Sequence, residues 1–119
     1  MIVTSNQYGD VLSDLCAGLV GSMGLAPGAN IGDGVAVFEA SHGAAPDIAG
    51  KGIANPVALI LSGALMLRHI GKNQQANWVE GSTYEILSEK KILTPDLGGS
   101  ASTMELAKAI AGRVEEKRK

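Results

Sequence analysis

Two carboxylates, Asp10 and Asp14, stand four residues apart in the segment NQYGDVLSDLCAG. On a helix this spacing places both side chains on one stripe, where their like charges repel and destabilise the helix slightly. Such a pair suits Mg²⁺ or Mn²⁺, because these hard cations prefer oxygen ligands and bind one or two carboxylates together with substrate and water. The alternative is that Asp10 caps the helix N-terminus and Asp14 faces solvent. The spacing alone leaves both interpretations open.

A second pair of polar residues, His42 and Asp47, lies in the segment HGAAPDIAG, within a long irregular stretch over residues 41–56. A loop of this length in a compact domain is usually functional or disordered, and its mixture of Pro, His, Asp and apolar residues argues against disorder. The carboxylate of Asp47 suits a pair of sugar hydroxyls and would repel a phosphate. The alternative is a structural loop in which Asp47 satisfies local amides.

The remaining reactive side chains point to structural roles. His69 closes an apolar helix, where a histidine commonly bonds the last carbonyl groups. Cys16 is the single cysteine and is predicted to pack on an apolar helix face. A lone cysteine excludes an internal disulfide and favours a reducing compartment, the cytoplasm or, in a eukaryote, the mitochondrial matrix.

Charge and hydropathy exclude two classes of partner. The formal net charge of -2 gives no indication of a nucleic-acid surface. The longest apolar run, VALILSGALML, is too short to cross a membrane. We therefore expect neither a nucleic-acid nor a membrane partner.

The elements that must position these residues follow from local patterns. Residues 2–5 predict a short strand, and residues 6–10 a turn into a buried helix that carries both aspartates. Residues 25–34 read as a loop and residues 35–40 as a strand. Three helices follow: one begins at Asn55-Pro56 and ends before Gly71, one runs from residue 73 or 74 to about 90, and one is capped by Ser102 or Thr103. The fold class predicted is α/β, with few strands and several helices.

The motifs resemble those of one enzyme family. The segments NQYGDVLSD and GLVGSMGLAPGANIGDGVAVFEASHGAAPDIAGKGIANP, with LMLRH and TPDLGGSAST further on, resemble the isocitrate and isopropylmalate dehydrogenases, a family of β-decarboxylating dehydrogenases. Within it, APGANIGD, FEASHG and LMLRH are most similar to NAD-dependent isocitrate dehydrogenase. The resemblance implies oxidative decarboxylation of isocitrate to 2-oxoglutarate. Isopropylmalate or homoisocitrate dehydrogenase, and a non-catalytic regulatory subunit of a hetero-oligomer, are the alternatives.

The resemblance also implies roles for particular residues. Asp10 and Asp14 match the positions that bind Mg²⁺ or Mn²⁺, which in the family chelates the hydroxyl and carboxylate of the substrate. NADP-using relatives carry Lys and Tyr where this chain has Asp47 and Ile48, so NAD is the cofactor implied, with Asp47 on the adenosine ribose. The positions implied to bind NAD are Asn6, Glu39, His42, Gly43, Ala45, Asp47, Ile48, Ala54 and Asn55.

The resemblance covers only the C-terminal part of the family's length. It implies that residues 1–20 end a dimer-forming domain with the metal site, and that residues 21–119 belong to the large cofactor-binding domain. In the family, the substrate-binding arginines, the catalytic Tyr and Lys and a third metal aspartate lie upstream, and that Lys and aspartate come from a partner subunit. We therefore predict no catalytic residue in these 119 residues, no turnover by the isolated chain, and assembly as a homodimer or a hetero-oligomer of family subunits.

Overall fold

The computed structural model describes residues 2–119, which form one helix, a β-hairpin and then three helices. The long elements are α1 (Asn6–Val20), β1 (Pro27–Gly32), β2 (Val35–Ala40), α2 (Val57–His69), α3 (Asn73–Glu89) and α4 (Thr103–Arg118). Short 3₁₀ turns cover Met23–Leu25, Pro46–Ile48 and Pro95–Leu97. The predicted α/β class with few strands and several helices is confirmed.

The two strands form an antiparallel hairpin. Pro27 pairs with Ala40 at its open end, and Gly32 pairs with Val35 next to the two-residue turn. Gly34 in that turn has φ +78°, a left-handed value that side chains rarely adopt. The strand predicted over residues 35–40 is confirmed, whereas the loop predicted over residues 25–34 is wrong because most of it is β1.

The beginning of the chain differs from the prediction. Residues 2–5 form no strand, because no other described segment pairs with them. The turn predicted over residues 6–10 is also wrong, since α1 already begins at Asn6 with Ser5 as its N-cap. β-branched residues favour a strand only where a neighbouring strand completes the hydrogen bonds.

The core lies between the three C-terminal helices. Among the described residues, the buried apolar side chains of this core come from α2, α3 and α4 and are Val57, Leu61, Ile86, Leu106 and Ile110. α2 packs against both α3 and the hairpin, and α3 packs against α4. The ring of His69, at the end of α2, lies 5.5 Å from that of Phe38 on β2, so it helps to join the hairpin to the helix.

The predicted helix ends are confirmed except at the start of α2. This helix begins one residue later than predicted, at Val57 with Pro56 as its N-cap, and Asn55 Oδ1 accepts a hydrogen bond from Val57 N at 3.0 Å. Gly71, with φ +80°, follows the end of that helix. Ser102 and Glu105 form a reciprocal capping box at the start of α4.

Helix α1 is exposed, so the prediction of a buried helix is wrong. Ala17 is buried, but Val11, Leu15 and Leu19, spaced by four residues, are 66%, 59% and 80% exposed. Cys16 is exposed as well, which contradicts its predicted packing role. Within residues 2–119, α1 contacts mainly the following 3₁₀ turn. No helix in this described part is long and apolar enough to cross a membrane.

Candidate functional site

A cavity of about 850 Å³ opens between the turn after α1, the long loop and the start of α4. This volume falls within the roughly 300–1,000 Å³ typical of small-molecule and cofactor sites. The lining is mostly apolar with a few polar groups, the usual composition of such sites. It consists of Ser22, Met23, Gly24, His42, Gly43, Ala44, Ala45, Ile48, Ala49, Gly50, Gly52, Ile53, Ala54, Asn55, Asp96, Thr103 and Met104.

The long loop holds a defined conformation along one wall of this cavity. Ala45 has φ 43° and ψ 62°, a left-handed conformation that costs a non-glycine residue about 1–2 kcal/mol. Thr103 fastens the other end of the loop, because its N donates to Gly52 O at 2.8 Å and its Oγ1 donates to Ala54 O at 2.5 Å. Backbone strain of this kind occurs preferentially at ligand-binding sites.

Asp96 lies at the polar end of the cavity. Its Oδ2 accepts hydrogen bonds from Ser22 Oγ at 2.7 Å and from Asn55 Nδ2 at 2.9 Å. Burial would raise the pKa of the Asp96 carboxyl, but the polar groups of Thr94, Asn55 and Ser22 around it lower this pKa by a larger amount. Asp96 therefore carries a negative charge at neutral pH.

Gly24 lies directly against this polar end. A Cβ at Gly24 would lie 2.8 Å from Asn55 Cβ and 3.2 Å from Asp96 Oδ2. The turn after α1 can approach the start of α2 this closely only because residue 24 has no side chain.

Six of the nine predicted cofactor residues lie together along the cavity: His42, Gly43, Ala45, Ile48, Ala54 and Asn55. Nδ1 of His42 is 2.9 Å from Gly43 O, and because a carbonyl oxygen only accepts, this contact requires the proton on Nδ1. The side chain of Asn55 is also engaged, since it accepts from Val57 N and donates to Asp96.

The other three predicted cofactor residues do not line the cavity. Asn6 is the first residue of α1. Glu39 lies on β2, where its carboxylate accepts from Asn30 Nδ2 at 3.0 Å. Asp47 is exposed in the 3₁₀ turn beside Ile48, next to the cavity but outside its lining.

Asp10 and Asp14 lie one turn apart on α1, and both are exposed. The alternative in which Asp10 caps the helix is wrong, because α1 begins four residues earlier. Two carboxylates are a donor set that fits Mg²⁺ or Mn²⁺. Among residues 2–119, no cluster of three or more His, Cys, Asp or Glu side chains is present. The remaining ligands would come from substrate, water or other protein groups.

Sequence reasoning missed the part of the cavity formed by Ser22, Asp96, Thr103 and Met104. Asp96 is separated by 74 residues from Ser22 and by 41 from Asn55. No periodicity or local spacing links residues this far apart. Only the fold brings them together.

Comparison with known proteins identifies the family to which this chain belongs. The family model described as isocitrate/isopropylmalate dehydrogenase matches residues 1–110. The chain therefore belongs to the isocitrate/isopropylmalate dehydrogenase family of β-decarboxylating dehydrogenases, which confirms the resemblance drawn from its motifs.

Individual relatives are similar over most of this chain. An Arabidopsis thaliana protein named isocitrate dehydrogenase [NAD] catalytic subunit 5, mitochondrial, is 57% identical over 92% of this chain and 30% of its own length. The 3-isopropylmalate dehydrogenase of Archaeoglobus fulgidus is 54% identical over 97% of this chain and 35% of its own length. The isocitrate dehydrogenase structure from Methylococcus capsulatus is 51% identical, with a TM-score of 0.89 over 92% of this chain and 33% of that one. The predicted fold is thus confirmed, and the chain spans about a third of the length of these relatives.

Proposed function

We propose that this chain forms the cofactor pocket and the metal-binding helix of an NAD-dependent isocitrate dehydrogenase. That enzyme oxidises and decarboxylates isocitrate to 2-oxoglutarate with Mg²⁺ or Mn²⁺. The observation that carries the proposal is the cavity of about 850 Å³, on which six residues implied to bind NAD converge. The family membership supports the reaction class, and the cavity supports the proposed location of the cofactor.

The carboxylate of Asp47 favours NAD over NADP. Among the described residues that line the cavity, none is a lysine or an arginine that would pair with a 2′-phosphate. Asp47 lies next to the lining, where its carboxylate accepts hydrogen bonds from ribose hydroxyls and repels a phosphate. Ala54, a small residue, leaves room for an adenine ring.

Asp10 and Asp14 would hold the divalent cation. Both are exposed on one stripe of α1, so they can meet a cation together without rearrangement of the helix. When bound, the cation supplies positive charge that stabilises negative charge developing on the substrate oxygen. Its charge would also remove the repulsion between the two carboxylates.

The proposal includes the domain arrangement and the assembly. Residues 1–20 would end the dimer-forming domain, and residues 21–119 would belong to the large cofactor-binding domain. The exposed stripe of Val11, Leu15 and Leu19 on α1 agrees with a helix that packs against another part of the assembly. The assembly would be a homodimer or a hetero-oligomer of family subunits, in the cytoplasm or the mitochondrial matrix.

A second candidate is 3-isopropylmalate dehydrogenase. It is favoured by the 54% identity to the Archaeoglobus fulgidus protein, which is close to the value for the Arabidopsis thaliana isocitrate dehydrogenase subunit. Homoisocitrate is a third possible substrate of the same class. A regulatory subunit is less well supported, because Asp10, Asp14, His42 and Asp47 are all present.

A substitution that fills the cavity tests whether NAD binds there. NAD and NADP are titrated by calorimetry into the product of the complete gene and into two variants of it. Ala54→Phe fills the cavity, and Ala111→Phe adds the same side chain to an exposed position of α4 outside the lining. We expect NAD to bind the wild type and Ala111→Phe more tightly than NADP does, and not to bind Ala54→Phe. Equal NAD binding by both variants, or none by the wild type, would overturn the proposal.

A further inference from the structure

One oxygen of Asp96 joins two walls of the cavity. Oδ2 accepts from Ser22 Oγ at 2.7 Å and from Asn55 Nδ2 at 2.9 Å. Ser22 belongs to the turn after α1, and Asn55 lies two residues before Val57, where α2 begins. Hydrogen bonds to an ionised acceptor are among the strongest in proteins, so this carboxylate holds both segments firmly.

The bond to Asn55 fixes which way its amide points. With Nδ2 directed at Asp96, Oδ1 is directed at Val57 N, from which it accepts at 3.0 Å. Asn55 is 8% exposed, so an amide turned the other way would leave buried groups without partners. The carboxylate therefore sets the rotamer of a cavity residue and the start of α2 together.

The bond to Ser22 fixes the opposite wall. Ser22 Oγ also accepts from Gly24 N at 3.1 Å, which begins the 3₁₀ turn over Met23–Leu25. Gly24 in turn packs against the side chain of Asn55. The turn, the start of α2 and Asp96 thus form one hydrogen-bonded unit at the end of the cavity.

We propose that Asp96 is a positioning residue for the cofactor: through Ser22 and Asn55 it holds the two walls of the cavity at the separation that receives NAD. This inference rests on the proposed function of the cavity. When the pocket is already formed, binding of the ligand does not require free energy to order the pocket walls. Because Asp96 acts on the pocket and is not one of the two carboxylates proposed to hold the metal, its loss should raise the KM for NAD and leave kcat at saturating NAD nearly unchanged.

The test compares Asp96→Ala, Asp96→Asn and Ser22→Ala in the product of the complete gene. Asp96→Ala removes both bonds and should raise the KM for NAD about tenfold, the loss expected for hydrogen bonds to a charged group. Asp96→Asn keeps an acceptor oxygen and should restore most of the affinity. Ser22→Ala removes the bond to Asp96 and the bond from Gly24 N but keeps the bond from Asn55 to Asp96, and it should also raise the KM for NAD. This variant keeps the inference testable if Asp96→Ala does not fold.

A destabilised control separates positioning from stability. Ile110→Val trims the core between α2, α3 and α4 and should lower the melting temperature without changing the KM for NAD. An unchanged KM in Asp96→Ala, an equal rise in Ile110→Val, or an Asp96→Asn variant as impaired as Asp96→Ala would overturn the inference.

Hydrogen exchange of the Val57 amide gives a readout that does not depend on NAD. If Asp96 orients Asn55, this amide exchanges faster in Asp96→Ala than in the wild type, and Asp96→Asn restores its protection. Unchanged exchange would overturn the positioning role whether or not NAD binds. Failure of the wild type to bind NAD would instead overturn the proposed function. In that case, hydrogen exchange of the Val57 amide still tests whether Asp96 orients Asn55.

Discussion

The hydroxyl oxygen of Ser62 on α2 lies 2.7 Å from the main-chain oxygen of Glu39 on β2. The same oxygen accepts from Gly28 N on β1 at 3.2 Å, and Ala58 O lies 2.8 Å away. Ser62 is 1% exposed, so a single buried hydroxyl links both strands of the hairpin to the central helix. β2 leads directly into the loop that forms the cavity, so this link also fixes where that loop begins.

The first prediction is that Ser62→Ala destabilises the fold by about 1–3 kcal/mol, because Gly28 N loses its partner in a half-buried position. Chemical denaturation of the purified protein measures the change. Ser88→Ala is the matched control, since Ser88 is exposed on α3 and bonds only to Glu85 O; it should change stability by less than about 0.5 kcal/mol. Equal effects of the two substitutions would contradict the role given to Ser62.

The features predicted correctly from the sequence have local causes. Asn55 satisfies the first amide of α2, and Ser102 with Glu105 begins α4, because capping groups lie within three residues of the amides that they satisfy. β1 was missed because PGANIG has few of the residues that favour strands. The signal that could have found it is Asp33-Gly34, a dipeptide typical of two-residue hairpin turns.

The features that could not be predicted depend on distant parts of the chain. The exposure of α1 is set by what packs against it, and its apolar stripe reads like that of a buried helix. The bonds from Ser22 and Asn55 to Asp96 span 74 and 41 residues. The family resemblance predicts six of the residues that line the cavity. The polar end of the cavity is seen only in the structure.

The second prediction concerns the close approach at Gly24. Gly24→Ala places a Cβ 2.8 Å from that of Asn55, so one wall must move and NAD binding should weaken by about tenfold or more. Gly63→Ala adds the same methyl group inside α2, where nothing lies within 4 Å, and should raise stability by about 0.5–1 kcal/mol with unchanged NAD binding. Titration calorimetry with both variants measures the difference. Unweakened NAD binding by Gly24→Ala would show that this contact does not shape the pocket.

The third prediction concerns the metal. Asp14→Asn removes one of the two carboxylates on α1 and should weaken Mn²⁺ binding at least about tenfold, equivalent to roughly 1.4 kcal/mol. Asp33→Asn removes an equally exposed carboxylate from the hairpin turn and should leave Mn²⁺ affinity unchanged. Titration of Mn²⁺ followed by electron paramagnetic resonance measures free and bound ion. A regulatory chain without a metal site would show no difference between the two variants.

The fourth prediction is that stability falls in acid. Polar neighbours hold the pKa of Asp96 below its ordinary value of 3.8. Hydrogen bonds from Lys117 and Arg113 lower the pKa of Glu85, and the bond from Arg113 lowers that of Glu89, below the ordinary 4.5. The pKa values of these carboxyls are lower in the folded state than in the unfolded state. These groups therefore stabilise the fold at any pH above their ordinary pKa values. That contribution is lost as the pH falls through the lowered values.

Denaturation curves between about pH 6 and pH 3 measure this dependence. In Asp96→Asn the free energy of unfolding should fall less steeply with decreasing pH, because residue 96 no longer titrates. The contribution of Glu85 and Glu89 lies at the surface between α3 and α4, so added salt should reduce it. An acid decline of the same size in Asp96→Asn and in the wild type would contradict the link between Asp96 and the fold.

NADH formation by the product of the complete gene distinguishes the proposed function from its alternatives. Isocitrate, 3-isopropylmalate and homoisocitrate are supplied separately with NAD and Mn²⁺, and the isolated 119-residue chain is assayed beside it. The account predicts NADH with isocitrate, abolished by EDTA, and no turnover by the isolated chain. NADH with 3-isopropylmalate or homoisocitrate alone would contradict the proposed substrate. No NADH with any of the three would contradict the proposed function.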